Sequence, residues 1–533
     1  MGNITEGKLD NIRLQAGNSQ SDTFHPWATS KQAIANSNAT AGKYTLFGFS
    51  AACWYFAEAL TYRMQAEVEA GRADPSSVVP LGLISTAIGG SMIEEWTTNT
   101  TTATCSDTSL APHNQALWDE KVVPFLNMTV KGFLWYQGEN NMHGVKGNSV
   151  AKTGYGCQMP AMIDLWRAAW SAEKGTTDPN APFGLVVLPG SGSEGGPNMG
   201  AMNWAQTANY GVTPNPAMPN VFSAQAYDLN DPWGDKSCYG MQCCWNNYNA
   251  TACTSALTKK GFKPTDCVNY CSILQGTNVY MGGIHPRIKK PVGYRLAAAA
   301  IATVYNVSGA YTGPTIAGCD VSGAKLTVKM DPTLLAGGSV TIQANYNRSQ
   351  SPFQVLTNAS LFCTEAMVRC SKFIENGTRP LPPCKNDPAN PQWNPSEVYC
   401  PPGDSETTAF AAHKADVKAG LAVPHVRYSE MVQGHGPPNP YETAWKNIPV
   451  DMGADKASVE VDLAGVDGTV AGIRYAWGTG GQCCMGDANG ITIPCPIETC
   501  PIMSAPSNLP ANPFMAKVVG GKCKCIPPQK CDA

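Results

Sequence analysis

Apolar residues follow two different patterns along this chain, and the pattern changes near Ser308. Up to that residue, apolar runs of strand length alternate with stretches of helical periodicity, which is typical of βα units around a mostly parallel sheet. The predicted strands are Asn11 to Leu14, Val79 to Ser85, Val130 to Tyr136, Phe183 to Leu188 and Asn220 to Ala226, and the predicted helices are Ala51 to Ala70, Met159 to Ala172 and Pro291 to Tyr305.

After Ser308, β-branched and polar residues alternate in short runs bounded by Gly and Pro, which favours an antiparallel β-sandwich. We therefore predict an α/β domain over residues 1–308 and a β-sandwich-like domain over residues 309–533. The runs behind the second prediction are Leu326 to Met330, Ser339 to Gln343, Val459 to Leu463 and Gly472 to Trp477.

Three segments depart from these patterns. Residues 232–280 contain six cysteines and little periodicity, so we expect an insertion held by disulfides. Residues 379–403 are rich in Pro and Asn and predict a long loop, pinned by Cys384 and Cys400. A cysteine-rich tail ends the second domain.

The composition narrows the range of partners. Charged residues make up 14% of the 533 residues and the net charge is −3, so there is no electrostatic reason to expect a nucleic-acid partner. The longest apolar helical stretch, Leu296 to Tyr305, is about half of the roughly 20 residues that span a bilayer. We therefore expect no membrane span.

Cysteine content indicates an oxidising compartment. The chain has 21 cysteines and only seven histidines, which do not fall into Cys/His metal spacings, so disulfides are favoured over metal binding. Nine Asn-X-Ser/Thr sequons also favour the secretory route, and we expect a secreted or lysosomal protein. The residues after Met1 lack a signal-peptide pattern, so either export is unconventional or the true amino terminus lies upstream.

Polar residues cluster directly after the predicted strand Val130 to Tyr136, and they are Gln137, Glu139, Asn140 and Asn141, with Gly138 between the first two. In α/β proteins, polar chemistry lies at the carboxyl edge of the sheet. Two further segments accompany this one: Ile88 to Trp96 upstream and Ile284 to Arg287 downstream. Together they resemble the sialate O-acetylesterase branch of the SGNH hydrolases, serine esterases that remove acetyl groups from sugars.

The resemblance implies an SGNH-hydrolase-like fold, with a three-layer α/β/α domain followed by the β-sandwich-like domain. It also implies that His285 is the catalytic base and that a backbone N–H of Gly89 or Gly90 donates to the oxyanion. The family spacing Gly-Glu-any-Asn selects Asn141, not Asn140, as the side-chain donor to the same oxyanion. The remaining candidates are assigned to substrate binding, and they are Gln137, Glu139 and Glu94.

The acid that orients the base is less clearly marked. Asp228 and Asp231 follow the predicted strand that begins at Asn220, and they resemble the acidic segment that precedes the family's histidine block. Asp228 is favoured over Asp231. The alternative is that a backbone carbonyl holds His285.

The family's nucleophile lies in a Gly-Gln-Ser-Asn-Met block, and this string does not occur in the chain. Ser19, in a Gly/Asn/Ser cluster, is predicted to be a loop residue, and Ser50 is predicted to be a helix N-cap. In the family the block follows a strand inside the parallel sheet. Its absence predicts a gap between neighbouring strands, with two unpaired edges.

The sequence therefore predicts a carbohydrate O-acetylesterase that acts on an acetylated sugar or glycan, with sialate the leading substrate. By resemblance, the mechanism needs no metal and no organic cofactor. An acetylesterase for xylan or another glycan is the rival within the same class. The rival from another class is a carbohydrate-binding homologue that has lost turnover together with the serine.

Overall fold

The computed structural model describes residues 7–17, 27–37, 46–105, 115–142, 155–173, 176–189, 199–208, 210–229, 284–286, 288–344, 346, 348–358, 445–477, 483 and 500–524. Several predictions lie outside these residues, namely those for Ser19, Asp231, the insertion 232–280, the loop 379–403 and the last residues of the tail. Within the described residues, no helix is both long and apolar enough to cross a membrane.

The amino-terminal half alternates strands and helices as predicted. Its elements are β1 (Ile12–Gly17), β2 (Ala28–Thr29), α1 (Ser30–Ser37), α2 (Ala51–Glu69), β3 (Leu81–Thr86), α3 (Asn99–Cys105), β4 (Phe133–Trp135), α4 (Glu139–Met142), α5 (Tyr155–Trp170), β5 (Phe183–Val187), α6 (Met199–Gln206), β6 (Val221–Gln225) and α7 (Lys290–Thr303). Each of the five predicted strands overlaps an observed strand, and the three predicted helices overlap α2, α5 and α7.

The strands form two three-stranded sheets, β2-β1-β3 and β4-β5-β6. Every pair in the second sheet is parallel, with Phe133 opposite Phe183 and Phe183 opposite Val221. In the first sheet β1 pairs with β3 in parallel, and the two-residue β2 adds an antiparallel edge that the sequence pattern did not predict. The prediction of a mostly parallel α/β domain is confirmed.

Helices cover both faces of the strands. On one face, α2 contributes Trp54 to the core around β1 and β3, and Ala52 to the core around β5 and β6. Helix α7 packs on α2 so closely that a Cβ at Gly293 would lie 2.8 Å from the carbonyl oxygen of Ala52. On the other face, α5 and α6 pack with Phe183 in a third core. The domain therefore has the expected three layers.

The carboxyl-terminal half is β-rich, as predicted. Its strands are β7 (Ile316–Ser322), β8 (Lys325–Met330), β9 (Ser339–Ile342), β10 (Phe353–Thr357), β11 (Trp445–Asn447), β12 (Asp451–Met452), β13 (Ser458–Asp462), β14 (Val470–Tyr475), β15 (Ile502–Ala505), β16 (Phe514–Val519) and β17 (Lys522–Lys524). They form a nine-stranded sheet, in the order β11-β10-β14-β16-β17-β7-β8-β13-β12, and a two-stranded sheet of β9 and β15.

Disulfides occur in both halves. Cys105 is bonded to Cys157 between α3 and α5, and Cys319 to Cys523 between β7 and β17. A third disulfide joins Cys483 to Cys500, at the side of the β-rich half where Cys500 packs against Val187 and Tyr227 of the α/β domain. These bonds agree with the oxidising compartment inferred from the cysteine content.

Helix α6 connects the two halves. The indole N–H of Trp204 donates to the carbonyl oxygen of Pro513 at 2.8 Å, and its ring meets that of Trp477 edge to face at 4.5 Å. The backbone N–H of Gly200 donates to the carbonyl oxygen of Trp477 at 2.9 Å. A Cβ at Gly200 would lie 2.4 Å from the Cα of Trp477, so only glycine permits this approach.

Candidate active site

The segments that follow β3 and β4 meet at the carboxyl ends of these strands. The side-chain amide of Asn140 donates to the carbonyl oxygen of Gly90 at 2.5 Å, and that of Gln137 donates to the carbonyl oxygen of Ser91 at 2.9 Å. Two of the three segments singled out in the sequence are thus hydrogen-bonded to each other.

The amide of Asn141 is held in one orientation. Its Oδ1 accepts from the backbone N–H of Ile93 at 3.0 Å and from Nε2 of Gln137 at 2.7 Å. Because a backbone N–H can only donate, the oxygen of Asn141 must face Ile93 and the nitrogen must face the other way. That nitrogen donates to Oε2 of Glu94 at 2.9 Å, with both side chains buried.

A buried hydrogen-bond chain holds Gln137 in turn. The hydroxyl of Tyr155 donates to Oε1 of Gln137 at 2.9 Å, and the indole N–H of Trp135 donates to that hydroxyl at 3.0 Å. Burial raises the pKa of Tyr155, so its hydroxyl keeps the proton that it donates. Glu94 and Gln137 thus position Asn141, and their predicted contact with substrate stays a prediction.

The backbone at Gly138 turns the chain from β4 into α4. Its φ of +143° lies in the region that favours glycine, and a Cβ there would lie 3.0 Å from Cδ1 of Leu188 and 3.3 Å from Nε2 of Gln206. The turn places Glu139 and Asn141 on the first residues of α4.

Gln206 supports this turn from α6. Its Nε2 donates to the carbonyl oxygens of Gln137 and Val186, each at 3.0 Å, and its Oε1 accepts from the N–H of Leu188 at 2.9 Å. The side chain therefore joins the ends of β4 and β5. Sequence reasoning missed this residue. The available signal was a glutamine that follows a mostly apolar helical turn, Met202 to Ala205, in which Asn203 is the polar residue.

His285 lies beside Glu139, with Nε2 of the imidazole 4.0 Å from Oε1 of the carboxylate. This distance is longer than a hydrogen bond, so the two groups interact electrostatically when the imidazole is protonated. The side chains are 26% and 16% exposed, which leaves the pair accessible from solvent. Burial, and then the charge of Glu139, raise the pKa of the neighbouring Tyr136.

Asp228 is fully buried and its two carboxylate oxygens accept from Arg295, at 2.6 and 2.9 Å. Arg295 also donates to the carbonyl oxygen of Gln225 at 2.7 Å, so the ion pair ties the end of β6 to α7. The sequence did not indicate this partner. That Asp228 orients His285 stays a prediction.

Among the described residues, the glycine pair after β3 borders open space. Gly90 has a φ of +75°, and within the described part of the chain a Cβ at Gly89 or Gly90 would meet no atom within 4 Å. A ligand can therefore approach this backbone closely, as an oxyanion donor requires. Donation by either glycine stays a prediction.

Ser50 is the N-cap of α2, as predicted. Its hydroxyl oxygen accepts from the backbone N–H of Cys53 at 3.4 Å. The free thiol of Cys53 is in the first turn of that helix, and burial raises its pKa to about 12. The raised pKa of Cys53 is the opposite of the lowered pKa that marks an activated thiol.

Residues 57–230 match a family of carbohydrate esterases described as sialic acid-specific acetylesterases, and this match confirms the resemblance predicted from the sequence. Sialate O-acetylesterases from Homo sapiens and Pongo abelii are each 35% identical to this chain over 195 residues. The one from Mus musculus is 31% identical over 224 residues.

The matches cover part of each protein. They span 34% of this chain, and 34% of the human and orangutan proteins or 37% of the mouse protein, so the chain matches about a third of the length of these curated relatives. Among solved structures, a carbohydrate acetylesterase from Xanthomonas citri aligns with 96% of this chain and 76% of its own, at 16% identity and a TM-score of 0.49.

Proposed function

We propose that the α/β domain carries the acetyl-transfer site of a carbohydrate O-acetylesterase, with O-acetylated sialic acid as the leading substrate. The observation that carries the proposal is the fixed amide of Asn141, whose oxygen faces Ile93 and whose nitrogen faces Glu94. An amide nitrogen has two hydrogens. Glu94 accepts one of them, and the second is the donor for the oxyanion.

In the proposed mechanism a serine oxygen attacks the acetyl carbonyl, and His285 takes the serine proton. The carbonyl oxygen becomes an oxyanion, which Asn141 and the N–H of Gly89 or Gly90 stabilise. The bond to the sugar oxygen then breaks, and His285 gives its proton to that oxygen. Water, activated by the same imidazole, releases acetate from the serine.

The serine itself is not assigned to Ser50, which caps α2, or to Ser19. The Gly-Gln-Ser-Asn-Met block of the family is absent from these 533 residues, so we expect no acetate release by the chain as given. The same absence favours a second candidate function, a carbohydrate-binding protein that retains the sugar site without turnover. Within the esterase class, xylan or another acetylated glycan is the alternative substrate.

Three observations support a secreted or lysosomal location. They are the 21 cysteines, the nine sequons and the disulfides in both halves of the molecule. Each is ordinary for the secretory route and unusual for a reducing compartment.

The test compares the chain with a version in which the serine block and its strand precede residue 1, using acetylated sialic acid and acetylated xylan as substrates. The extended chain should release acetate. His285→Ala should lower the rate by several orders of magnitude, and Asn141→Ala by about a hundredfold or more.

Asn140→Ala is the matched control, because Asn140 is adjacent but bonds only the backbone of Gly90 in the described contacts. Its effect should be smaller than that of Asn141→Ala. Full activity of the His285 variant would remove the esterase assignment. Sugar binding by the extended chain without acetate release would favour the binding protein.

A further inference from the structure

Helix α7 begins at the edge of the sheet where the candidate active site lies. At its start, the ammonium of Lys289 donates to the hydroxyl of Tyr136 at 3.1 Å, and Tyr136 directly follows β4. Further along the helix, Arg295 donates to the carbonyl oxygen of Gln225, the last residue of β6. The start of α7 therefore brings positive charge to the carboxyl ends of β4 and β6.

The ammonium of Lys289 borders the residues of the candidate site. It lies over the ring of Tyr136, 4.5 Å from the ring centroid. The carboxylate of Glu139 is close to the same ring, since its charge, after burial, raises the pKa of Tyr136. Glu139 in turn lies 4.0 Å from Nε2 of His285. These four side chains form one cluster of polar groups at this edge of the sheet.

Helix stability does not explain the charge of Lys289. Lys289 is the N-cap of α7, its side chain makes no capping hydrogen bond, and the first turn of the helix contains no acidic residue. Ser, Thr, Asp and Asn are the side chains that stabilise an N-cap, and positive charge is unfavourable at this end of a helix. The charge of Lys289 therefore requires another explanation.

The three described basic residues at the start of α7 differ in what they contact. Arg295 pairs with the buried Asp228, and Nζ of Lys290 lies 3.8 Å from Glu58 of α2. Lys289 contacts Tyr136 instead, and both side chains are partly exposed. A ligand at the carboxyl ends of the strands can therefore reach Lys289 from solvent.

We propose that Lys289 binds the carboxylate of the sialic acid substrate and so selects this sugar over neutral acetylated glycans. The inference rests on the proposed function, because it names the group of the proposed substrate that the site recognises. A sialic acid carries a negative carboxylate besides the acetyl ester, whereas xylose units are neutral. Atoms of the sugar separate the two groups, so a cation that binds the carboxylate must lie beside the reacting groups.

The cluster offers two hydrogen-bond donors to such a carboxylate. The ammonium of Lys289 has three hydrogens, of which one is directed to Tyr136. The hydroxyl of Tyr136 accepts that hydrogen and has its own proton to donate, which its raised pKa retains. Glu139 by itself would repel a carboxylate, and the charge of Lys289 offsets this repulsion.

The test measures binding of an O-acetylated sialic acid and of its carboxyl methyl ester, which differ in charge. The chain as given is suitable, because we expect it to bind without releasing acetate, and isothermal titration calorimetry gives both affinities. The acid should bind about tenfold more tightly than the ester, the scale of one hydrogen bond to a charged group. Added salt should weaken binding of the acid but not of the ester.

Lys289→Gln removes the charge but keeps a side-chain amide that can donate to Tyr136. It should weaken binding of the acid by about tenfold and leave binding of the ester unchanged. Lys289→Arg should keep the preference for the acid. Lys290→Gln is the matched control, since Lys290 is the next residue but lies beside Glu58, and it should change neither affinity.

The outcomes separate this inference from the proposed function. Equal affinity of the parent chain for acid and ester, or binding of neither, would overturn the inference. Equal weakening of both ligands in Lys289→Gln would also overturn it, because that result assigns Lys289 a structural role. Acetate release by the extended chain decides the esterase proposal separately. Charge-dependent binding without acetate release would support the carboxylate site and contradict the esterase.

Discussion

The two half-sheets of the α/β domain differ in what holds them. The β4-β5-β6 half is fixed from two sides: Arg167 of α5 donates to the carbonyl oxygens of Ala181, Pro219 and Asn220, and α6 anchors it to the β-rich half. The β2-β1-β3 half ends in the two-residue β2, and Trp27, whose ring lies over Gly82, is 44% exposed.

This difference explains where the site obtains its rigidity. Gln137 and Asn141 follow β4, in the half that is fixed by α5 and α6, and they in turn hold the segment after β3 through Ser91 and Ile93. The β4-β5-β6 half thus positions the segment after β3 that contains Gly89 and Gly90. We therefore expect changes in the β4-β5-β6 half to cost more stability than changes in the β2-β1-β3 half.

Trp204→Ala should destabilise the protein by about 3–5 kcal/mol, because it removes a buried aromatic side chain from the contact between the halves. Trp27→Ala is the matched control in the other half and should cost less stability than Trp204→Ala, since Trp27 is 44% exposed and Trp204 is buried. Urea unfolding measures the free energy of unfolding of both variants. Equal losses of stability would contradict the difference between the two half-sheets.

Arg295→Met should cost about 3–5 kcal/mol, because it leaves the carboxylate of Asp228 buried without its partner. Replacing both residues, as Asp228→Leu with Arg295→Met, should recover part of that loss. Chemical denaturation of the single and double variants measures the coupling. If the double variant lost more unfolding free energy than the two single variants together, the ion pair would not be what stabilises this part of the protein.

Gln206→Leu should cost about 1–3 kcal/mol, since the carbonyl oxygens of Gln137 and Val186 lose a buried donor. Gln206→Glu keeps the acceptor for the N–H of Leu188 but loses the donors, and it should be no more stable than the leucine variant. Thermal unfolding measures which of the two variants is less stable. In the extended chain, both variants should also lower acetate release, and unchanged release would separate Gln206 from the site.

Glu67→Gln should have the smallest effect. Its hydrogen bond with Arg72, followed by the charges of Arg63 and Arg72, lowers the pKa of Glu67, but the pair lies at the surface of α2. Because the folded-state pKa is lowered, the contribution is present above the unfolded pKa and is lost as pH falls through the folded one. Variant and parent should differ slightly in stability near neutral pH and converge as the pH falls below the folded-state pKa, which urea unfolding at several pH values measures.

Strands β5 and β6 were predictable because both faces are buried, which leaves continuous apolar runs such as Phe183 to Val187. Helix α5 was predicted from its helical periodicity to begin at Met159. The observed helix begins at Tyr155, and Pro160 lies inside it. The disulfide of Cys157 and the burial of Tyr155 stabilise the earlier start.

The site was predictable where its residues are close in sequence, as for the segment after β4. It was not predictable where contacts span long distances along the chain. Asp228 pairs with Arg295, 67 positions later, and Gln206 bonds to the carbonyl oxygen of Gln137, 69 positions earlier. An amphipathic pattern records that a side chain is buried but not which distant partner satisfies it.

Helix α6 has a consequence for how this protein can be divided or recombined. Trp204 belongs to the core of the β-rich half, while Met202 and Ala205, on the same helix, belong to the core under β4 and β5. Cleavage near Ser308 would therefore divide the polypeptide, but Trp204 of the amino-terminal part would still belong to the core of the β-rich half. In a chimaera that takes one half from a relative, the residues on the corresponding face of α6 must come from the same relative. Otherwise α6 would carry side chains that do not fit the half it packs against.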